Sequence, residues 1–321
     1  MINVTRQIHR KLSSNSVRAV TLLSQKRTCG TNAKGTRERI AADMTQSAVI
    51  AVCQMTATED KEGNIAVCRK LVEQASNLGA KMVFLPECSD YVQKSPEESV
   101  RSAEPDTGQS MAAFKEIAKE NHLWLSLGGL HEKNPEDDSK LLNTHYIVDD
   151  NGEVAAKYSK THLFSLNIKN QVQLQESQFV KSGTKIVPPV QTPVGKIGMG
   201  ICYDIRFPEF SLTLAKQGAE ILTYPSAFTV PTGMAHWEPL LRCRAIETQC
   251  YVVAAAQTGK HNDWRASYGH AMIVDPWGAI VAQCSEGESV AVAAIDLAYL
   301  QRVRTSMPIW DHRRTDLYPV F

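Results

Sequence analysis

The 321-residue sequence predicts one α/β domain holding two packed sheets, and three observations carry that reading. From residue 46, short apolar runs alternate with amphipathic stretches, the βαβα rhythm of a largely buried sheet joined by crossovers. The rhythm breaks at a hairpin signal near residue 151 and a long polar stretch, then resumes at residue 197. Neither an internal repeat nor a linker interrupts 46–321, so both halves read as one domain.

Taken in order, Val49–Met55 is apolar and β-rich, a strand. Residues 63–78 place Ile65, Cys68, Leu71, Val72, Ala75 and Leu78 on one helical face. Met82–Leu85 is the next strand and stops at Pro86. A helix over 109–120 follows, then a strand, Leu123–Leu127, closed by Gly128-Gly129. Leu141–Val148 and Glu153–Tyr158 flank Asp150-Asn151-Gly152, a hairpin turn, because Asn-Gly accepts positive φ. Residues 160–195 are polar and bear Pro and Gly, so they read as a long surface loop of the kind compact domains keep for function. Alternation resumes with strand Ile197–Ile201, a helix over 208–217, strand Ile221–Tyr224, a helix over 235–248 and strand Tyr251–Ala256. A final β section runs through Ala271–Val274, the Pro276-Trp277-Gly278 turn, Ala279–Cys284 and Ser289–Ile295.

Composition narrows the function classes. With 43% hydrophobic and 21% charged residues the chain is not a disordered protein. Its net charge of +1 joins two unlike parts. Residues 1–37 hold eight basic residues and no acid; without them 27 basic residues face 34 acidic ones, a net of −7. A mildly acidic body has no electrostatic footprint for nucleic acid. Nowhere do 18 apolar residues run together, so no membrane partner is expected. Segment 1–43, rich in Arg, Ser and Thr, reads as a transit-type arm addressed to the mitochondrion, disordered or cleaved; a basic tail without an address is the plainer alternative. A start at Met44 would leave the 46–318 body in the cytoplasm. The eight cysteines include no C-x-x-C pair and read as reduced thiols, outside any disulfide or zinc framework.

Cys202 stands apart from the others. It ends the run Ile197-Gly198-Met199-Gly200-Ile201, and Phe207-Pro208-Glu209 then opens a helix with Pro at its first position. A thiol on such a turn is expected to be exposed at the sheet's end, near N–H groups that favour thiolate. Cys53, Cys68, Cys88, Cys243, Cys250 and Cys284 read instead as packed, inert thiols. Glu87, after Phe84-Leu85-Pro86, sits at another strand end, where a surface or cap carboxylate is the plainer reading. Lys160 follows the strand ending near Tyr158; a lone lysine there is most often solvated. What unites Glu87, Lys160 and Cys202 is their place at carboxyl ends of strands, where open α/β sheets carry active sites.

Together, Phe84–Glu87, Lys157–Leu163, Gly200–Glu209 and Thr223–Phe228 resemble the nitrilase (carbon–nitrogen hydrolase) superfamily, over roughly 46–318 and in the family's order. Ala235–Glu238, Arg244–Gln257, Ser267–His270 and Asp275–Gly278 look like its deaminated glutathione amidase branch more than its ω-amidase branch. The resemblance implies a four-layer αββα sandwich of the nitrilase type. It implies Glu87 as general base, Lys160 as stabiliser of charge, Cys202 as nucleophile and Glu176 as the second glutamate that positions the lysine. Arg206 and Thr232 match positions that hold the substrate. The family's acidic pair and Pro-Gly after the lysine are replaced here by Ser165-Leu166-Asn167-Ile168-Lys169-Asn170.

The implied activity is that of an amidase acting on linear carbon–nitrogen bonds other than peptide bonds. Its substrate would be a small amide carrying a carboxylate: deaminated glutathione, cleaved to 2-oxoglutarate and cysteinylglycine in metabolite repair. Action on 2-oxoglutaramate is the nearest enzymatic alternative, and strict nitrilase action ranks below both. A non-enzymatic scaffold conflicts with a full catalytic set, and a redox-sensing thiol needs a resolving cysteine near Cys202 that the sequence does not show. Thioester chemistry needs no cofactor or metal, and no H-E-x-x-H, G-x-G-x-x-G or P-loop is present. The family also implies a homodimer or higher homo-oligomer, paired through the sandwich face.

Overall fold

The structure, a computed structural model, describes residues 47–167 and 173–318, so the basic segment 1–43 and its expected address lie outside the described residues. The first half runs β1 (Ala48–Met55), α1 (Lys61–Asn77), β2 (Met82–Leu85), α2 (Pro96–Ser102), α3 (Gln109–Asn121), β3 (Trp124–Lys133), β4 (Leu141–Val148) and β5 (Val154–Ser159). The middle holds β6 (Ser165–Asn167), β7 (Gln173–Gln175), a 3-10 turn (Glu176–Gln178) and β8 (Val190–Thr192). Then come β9 (Gly195–Met199), a second 3-10 turn (Cys202–Arg206), α4 (Pro208–Lys216), β10 (Ile221–Thr223) and α5 (Val230–Thr248). The chain closes with β11 (Tyr251–Ala254), β12 (Ala256–Lys260), β13 (Ala266–Tyr268), β14 (Met272–Val274), β15 (Ile280–Gln283), β16 (Ser289–Ile295) and α6 (Leu297–Ser306).

Side-chain alternation sets the layers. In β1, Ile50 and Val52 enter one apolar cluster, while Ala51, Cys53 and Met55 enter another. Strand β2 repeats this, with Met82 and Phe84 on the first side and Val83 and Leu85 on the second. The second cluster is closed by Cys68, Leu71, Val72 and Ala75 of α1 and by Phe114, Ile117 and Ala118 of α3. These are the apolar stripes of the two helices, and Asp60 caps α1 by accepting from the Gly63 N–H at 3.1 Å. The first cluster joins Ile50, Val52, Met82 and Phe84 to Ile197, Met199, Ile221 and Val252 of the other sheet. Helices α4 and α5 add Phe210, Leu214, Trp237 and Leu241 to it. The result is a four-layer αββα sandwich.

One sheet has the order β13-β12-β1-β2-β3-β4-β5, with β16 also pairing β1; the other is β15-β14-β11-β10-β9-β8. Strands β1, β2 and β3 are parallel, as are β9, β10 and β11. Every connection out of these strands therefore leaves from the same end of its sheet, which is where Glu87 and Cys202 stand. No helix among the described residues is long and apolar enough to cross a membrane.

The structure corrects several expected boundaries. Strand β3 does not close at Gly128-Gly129 but continues to Lys133, with a register shift between Leu127 and Leu130. The glycines serve close approach. A Cβ on Gly128 would lie 1.9 Å from Cβ of Pro225, and one on Gly129 would lie 2.8 Å from Cγ of Glu87. The 160–195 segment is not a surface loop. It holds the β6–β7 hairpin and strand β8, and it buries Glu176 and Val180. The apolar run Tyr251–Ala256 is two strands, since β11 pairs in one sheet and β12, pairing β1 at Gln54 and Met55, in the other. Helix α5 begins at Val230, not 235, because Pro231 is favourable in a first turn. Helices α2 and α6 and strand β13 are not expected from the sequence pattern.

Candidate active site

Cys202 sits where β9 leaves its sheet. Gly200 lets the chain pass Tyr224, whose Cε1 would be 2.7 Å from a Cβ there. Cys202 itself adopts φ +45°, a left-handed conformation unusual for a non-glycine residue, and such strain clusters at functional sites. Two anchors hold it: its N–H donates to the Pro225 carbonyl at 3.0 Å, and the buried Asp204 carboxylate accepts from the Ile201 N–H at 2.9 Å. Asp204 also accepts from the Tyr158 hydroxyl at 2.9 Å and the His162 N–H at 3.1 Å. One carboxylate thus ties the cysteine turn to the segment carrying Lys160.

The other predicted residues converge on this turn. Lys160 Nζ donates to Oε1 of Glu87 at 2.9 Å and to Glu176 Oε1 and Oε2 at 3.0 and 2.9 Å. Asn143, in the middle of β4, donates from Nδ2 to Glu87 Oε1 at 2.9 Å and to Glu176 Oε1 at 3.2 Å. The Ala227 N–H donates to Glu87 Oε2 at 2.9 Å, and the Phe164 N–H to Glu176 Oε2 at 2.7 Å. Gln257 closes the frame from below, donating to the Glu87 carbonyl at 3.0 Å. Glu87, Lys160 and Glu176 are all buried, so the surface readings of Glu87 and Lys160 are set aside.

Electrostatics assign the protonation states. Burial pushes the Glu87 carboxyl up, but the Lys160 charge and hydrogen bonds from Lys160, Asn143 and Cys202 outweigh it and hold it below the usual carboxylate range. Burial opposes the Lys160 charge, yet Glu176 and Glu87 raise its pKa well above the ordinary lysine value. Burial and the Glu87 charge both push the Cys202 thiol well up, against the lowering by Lys160. The resting site is therefore thiol, carboxylate and ammonium. This corrects the expected exposed, thiolate-leaning cysteine: Cys202 is only 7% exposed, and its desolvation exceeds what the turn's N–H groups return.

A cavity, partly open to solvent, contains the four residues and reaches Arg206 and Thr232. Arg206 donates to Nδ1 of His236 at 3.2 Å and lies over the rings of Tyr203 and Phe228, with no carboxylate partner among the described residues. Its alternative as a structural salt bridge is thus not realised. Thr232, in the first turn of α5, shares a hydroxyl hydrogen bond with Thr229 at 2.8 Å and lines the same wall. Four residues of the site escape a reading of the sequence: Asn143, Asp204, Gln257 and Arg265. Cys88, expected to be inert, lines the cavity, and Cys243 is exposed.

The carbon–nitrogen hydrolase family model matches residues 49–305. The chain is 52% identical over 269 residues to the nitrilase and fragile histidine triad fusion protein NitFhit of Caenorhabditis elegans, covering 84% of this chain and 61% of that longer protein. It is 51% identical over 272 residues to the deaminated glutathione amidase of Mus musculus, covering 84% of each. Among solved structures, that of the C. elegans NitFhit protein matches with a TM-score of 0.81 at 51% identity, covering 85% of this chain and 66% of the other.

Proposed function

The chain belongs to the carbon–nitrogen hydrolase family, and we propose that it is an amidase hydrolysing the γ-amide of deaminated glutathione to 2-oxoglutarate and cysteinylglycine. The observation that carries the chemistry is the buried Lys160–Glu87 contact at 2.9 Å in the cavity that the Cys202 thiol also lines. The substrate is supported by the similarity to the mouse deaminated glutathione amidase and by the Arg206 guanidinium in the cavity, which pairs with no carboxylate among the described residues.

The steps follow from the geometry. Glu87 accepts the Cys202 thiol proton as Sγ bonds to the amide carbonyl carbon, so thiolate forms only as it is consumed. Charge gathers on the carbonyl oxygen, where Lys160 and the N–H of Tyr203, at the open start of its turn, stabilise it; one such donor is worth roughly 3–4 kcal/mol. Glu87 then gives its proton to the departing nitrogen, the C–N bond breaks, and the amine leaves a Cys202 thioester. Water loses a proton to Glu87 and adds to the thioester carbonyl. The C–S bond breaks and the thiol recovers its proton from Glu87. Glu176 and Asn143 keep Lys160 and Glu87 in register throughout. Arg206 binds the 2-oxo acid carboxylate, which planar guanidinium can grip with two parallel hydrogen bonds.

Side-by-side kinetics on deaminated glutathione and 2-oxoglutaramate test the substrate: the reading requires the larger kcat/KM on the former and fails if the order is reversed. Two further parts of the reading rest on sequence alone. The basic segment 1–43 is a mitochondrial address and Met44 supplies a cytoplasmic form, which a cytosolic fluorescent fusion of residues 1–40 would contradict. The chain self-associates as the family implies, which light scattering of the purified protein checks.

A further inference from the structure

Arg265 is a cation of the cavity that the mechanism leaves unused. It stands in the connection between β12 and β13, where Asn262 Oδ1 accepts from the Trp264 and Arg265 N–H groups at 3.0 and 2.9 Å. That turn fixes the backbone. The side chain lines the cavity, with Nη2 4.0 Å from Sγ of Cys88. It is half-buried, and among the described residues no carboxylate pairs with it. Burial opposes its charge, but Glu87 and Glu176 support that charge through space, so it stays a cation with N–H donors left for an anion in the cavity.

The wall around Arg265 has the same character. His131 lines it, stacked on Tyr91 with ring centres 4.3 Å apart and with Nδ1 2.9 Å from Asp90 Oδ1. Burial alone would push this imidazole down, but Asp90 and Cys88 raise it to about 10, so it is charged at neutral pH. Gln93 and Ser99 supply further polar lining. Arg206, packed on Tyr203 and Phe228, lines the same cavity, as does Thr232.

Deaminated glutathione has two carboxylates, one on each side of the amide that breaks. Arg206 and Thr232 suit the 2-oxo acid end. The other carboxylate ends the cysteinylglycine portion, two residues of extended chain away, a reach of about 7 Å. Glu87 protonates the departing nitrogen, and Cys88 is its covalent neighbour. Arg206 and Arg265 line the same cavity as Glu87 and Cys202, so a substrate with two carboxylates meets two guanidinium groups there, and with Arg206 taken by the 2-oxo acid end Arg265 is left for the other.

We propose that Arg265 is a specificity-determining residue that binds the terminal carboxylate of the leaving dipeptide, an inference that rests on the deaminated glutathione reading above. Substrates favoured by this contact are amides whose amine portion is an anionic peptide; an amide releasing ammonia cannot use it.

The test compares wild type, Arg265→Ala and Arg265→Lys on three amides: deaminated glutathione, its analogue with the terminal carboxylate masked as carboxamide, and 2-oxoglutaramate. Masking is expected to lower wild-type kcat/KM by roughly 10- to 100-fold, mainly through KM, the range of a charged hydrogen bond. Arg265→Ala loses as much on deaminated glutathione, loses nothing further from masking, and loses at least roughly tenfold less on 2-oxoglutaramate. Arg265→Lys recovers part of the loss. The inference is overturned if Arg265→Ala falls equally on all three amides, or if wild type is active on deaminated glutathione yet indifferent to masking. A wild type that cleaves 2-oxoglutaramate but not deaminated glutathione overturns the substrate reading itself, and the inference with it.

Discussion

The ammonium of Lys160 donates to Oε1 of Glu87 at 2.9 Å, with both side chains buried. That contact decides which acid–base pair the site holds at rest. A buried carboxylate alone would be protonated and useless as a base, and a buried lysine alone would lose its charge. Paired, each keeps the other ionised, and Cys202 beside them keeps its proton until the substrate arrives.

Replacing Glu87 by Gln preserves size and most hydrogen bonds but removes the base we propose for both half-reactions. We expect kcat to fall by at least about 10²-fold with little change in KM, the range of general base catalysis. Steady-state kinetics check this; a variant within a few-fold of wild type would assign the base elsewhere.

Lys160→Met leaves Glu87 and Glu176 buried without their cation. Removing one partner of a buried ion pair costs about 3–5 kcal/mol, and here the cost depends on pH. The unpaired carboxylates acquire raised pKa values, so the penalty is full at neutral pH and shrinks as acid protonates them. Urea unfolding of wild type and variant at pH 7 and pH 5 reads the gap; a gap of equal size at both would mean lost packing alone.

Two titrations should be visible in the wild type. Glu87 is held below its ordinary value, so its stabilisation is present above the unfolded carboxylate range and is lost as pH falls through the lower folded value. Its acid limb in kcat/KM must accordingly lie below the ordinary carboxylate pKa of about 4.3. His131 has the opposite sign. Raised to about 10, it gives stability that is complete below the unfolded value of about 6.5 and fades as pH climbs towards 10. In His131→Gln that alkaline decline should flatten; an unchanged slope would place the titration in another group.

Gly129 adopts φ +62°, and a Cβ there would lie 2.6 Å from Asn143 Oδ1 and 2.8 Å from Glu87 Cγ. Gly129→Ala should shift the base against its neighbours and lower kcat by about tenfold or more, since small misplacements of catalytic groups are costly. The folded protein should survive, with a stability loss of about 1–3 kcal/mol from the strained φ. Activity at the wild-type level would show that Glu87 is not held by this contact.

Much of this site is legible in the order of residues along the chain. Glu87 and Cys202 end apolar runs that read as strands, and Lys160 follows a hairpin whose Asn-Gly turn marks its own register. Glu176 is reachable only through family resemblance, because its short turn carries no periodic signal. Asn143 is hidden differently: it lies mid-strand in β4, and its register opposite Lys160 depends on sheet pairing. Asp204 and Arg265 look like ordinary surface charges until the fold turns them inward. The run Tyr251–Ala256 reads as one strand because an unbroken apolar stretch does not say which of two sheets it pairs with.

Rapid-quench intact-mass spectrometry during turnover of deaminated glutathione tests the central claim most directly. The account predicts a transient 2-oxoglutaryl thioester on Cys202, formed as cysteinylglycine is released and absent from an inactive Cys202→Ala protein. Full amide hydrolysis by Cys202→Ala, or an acyl group carried on a different residue of the active wild type, would contradict it.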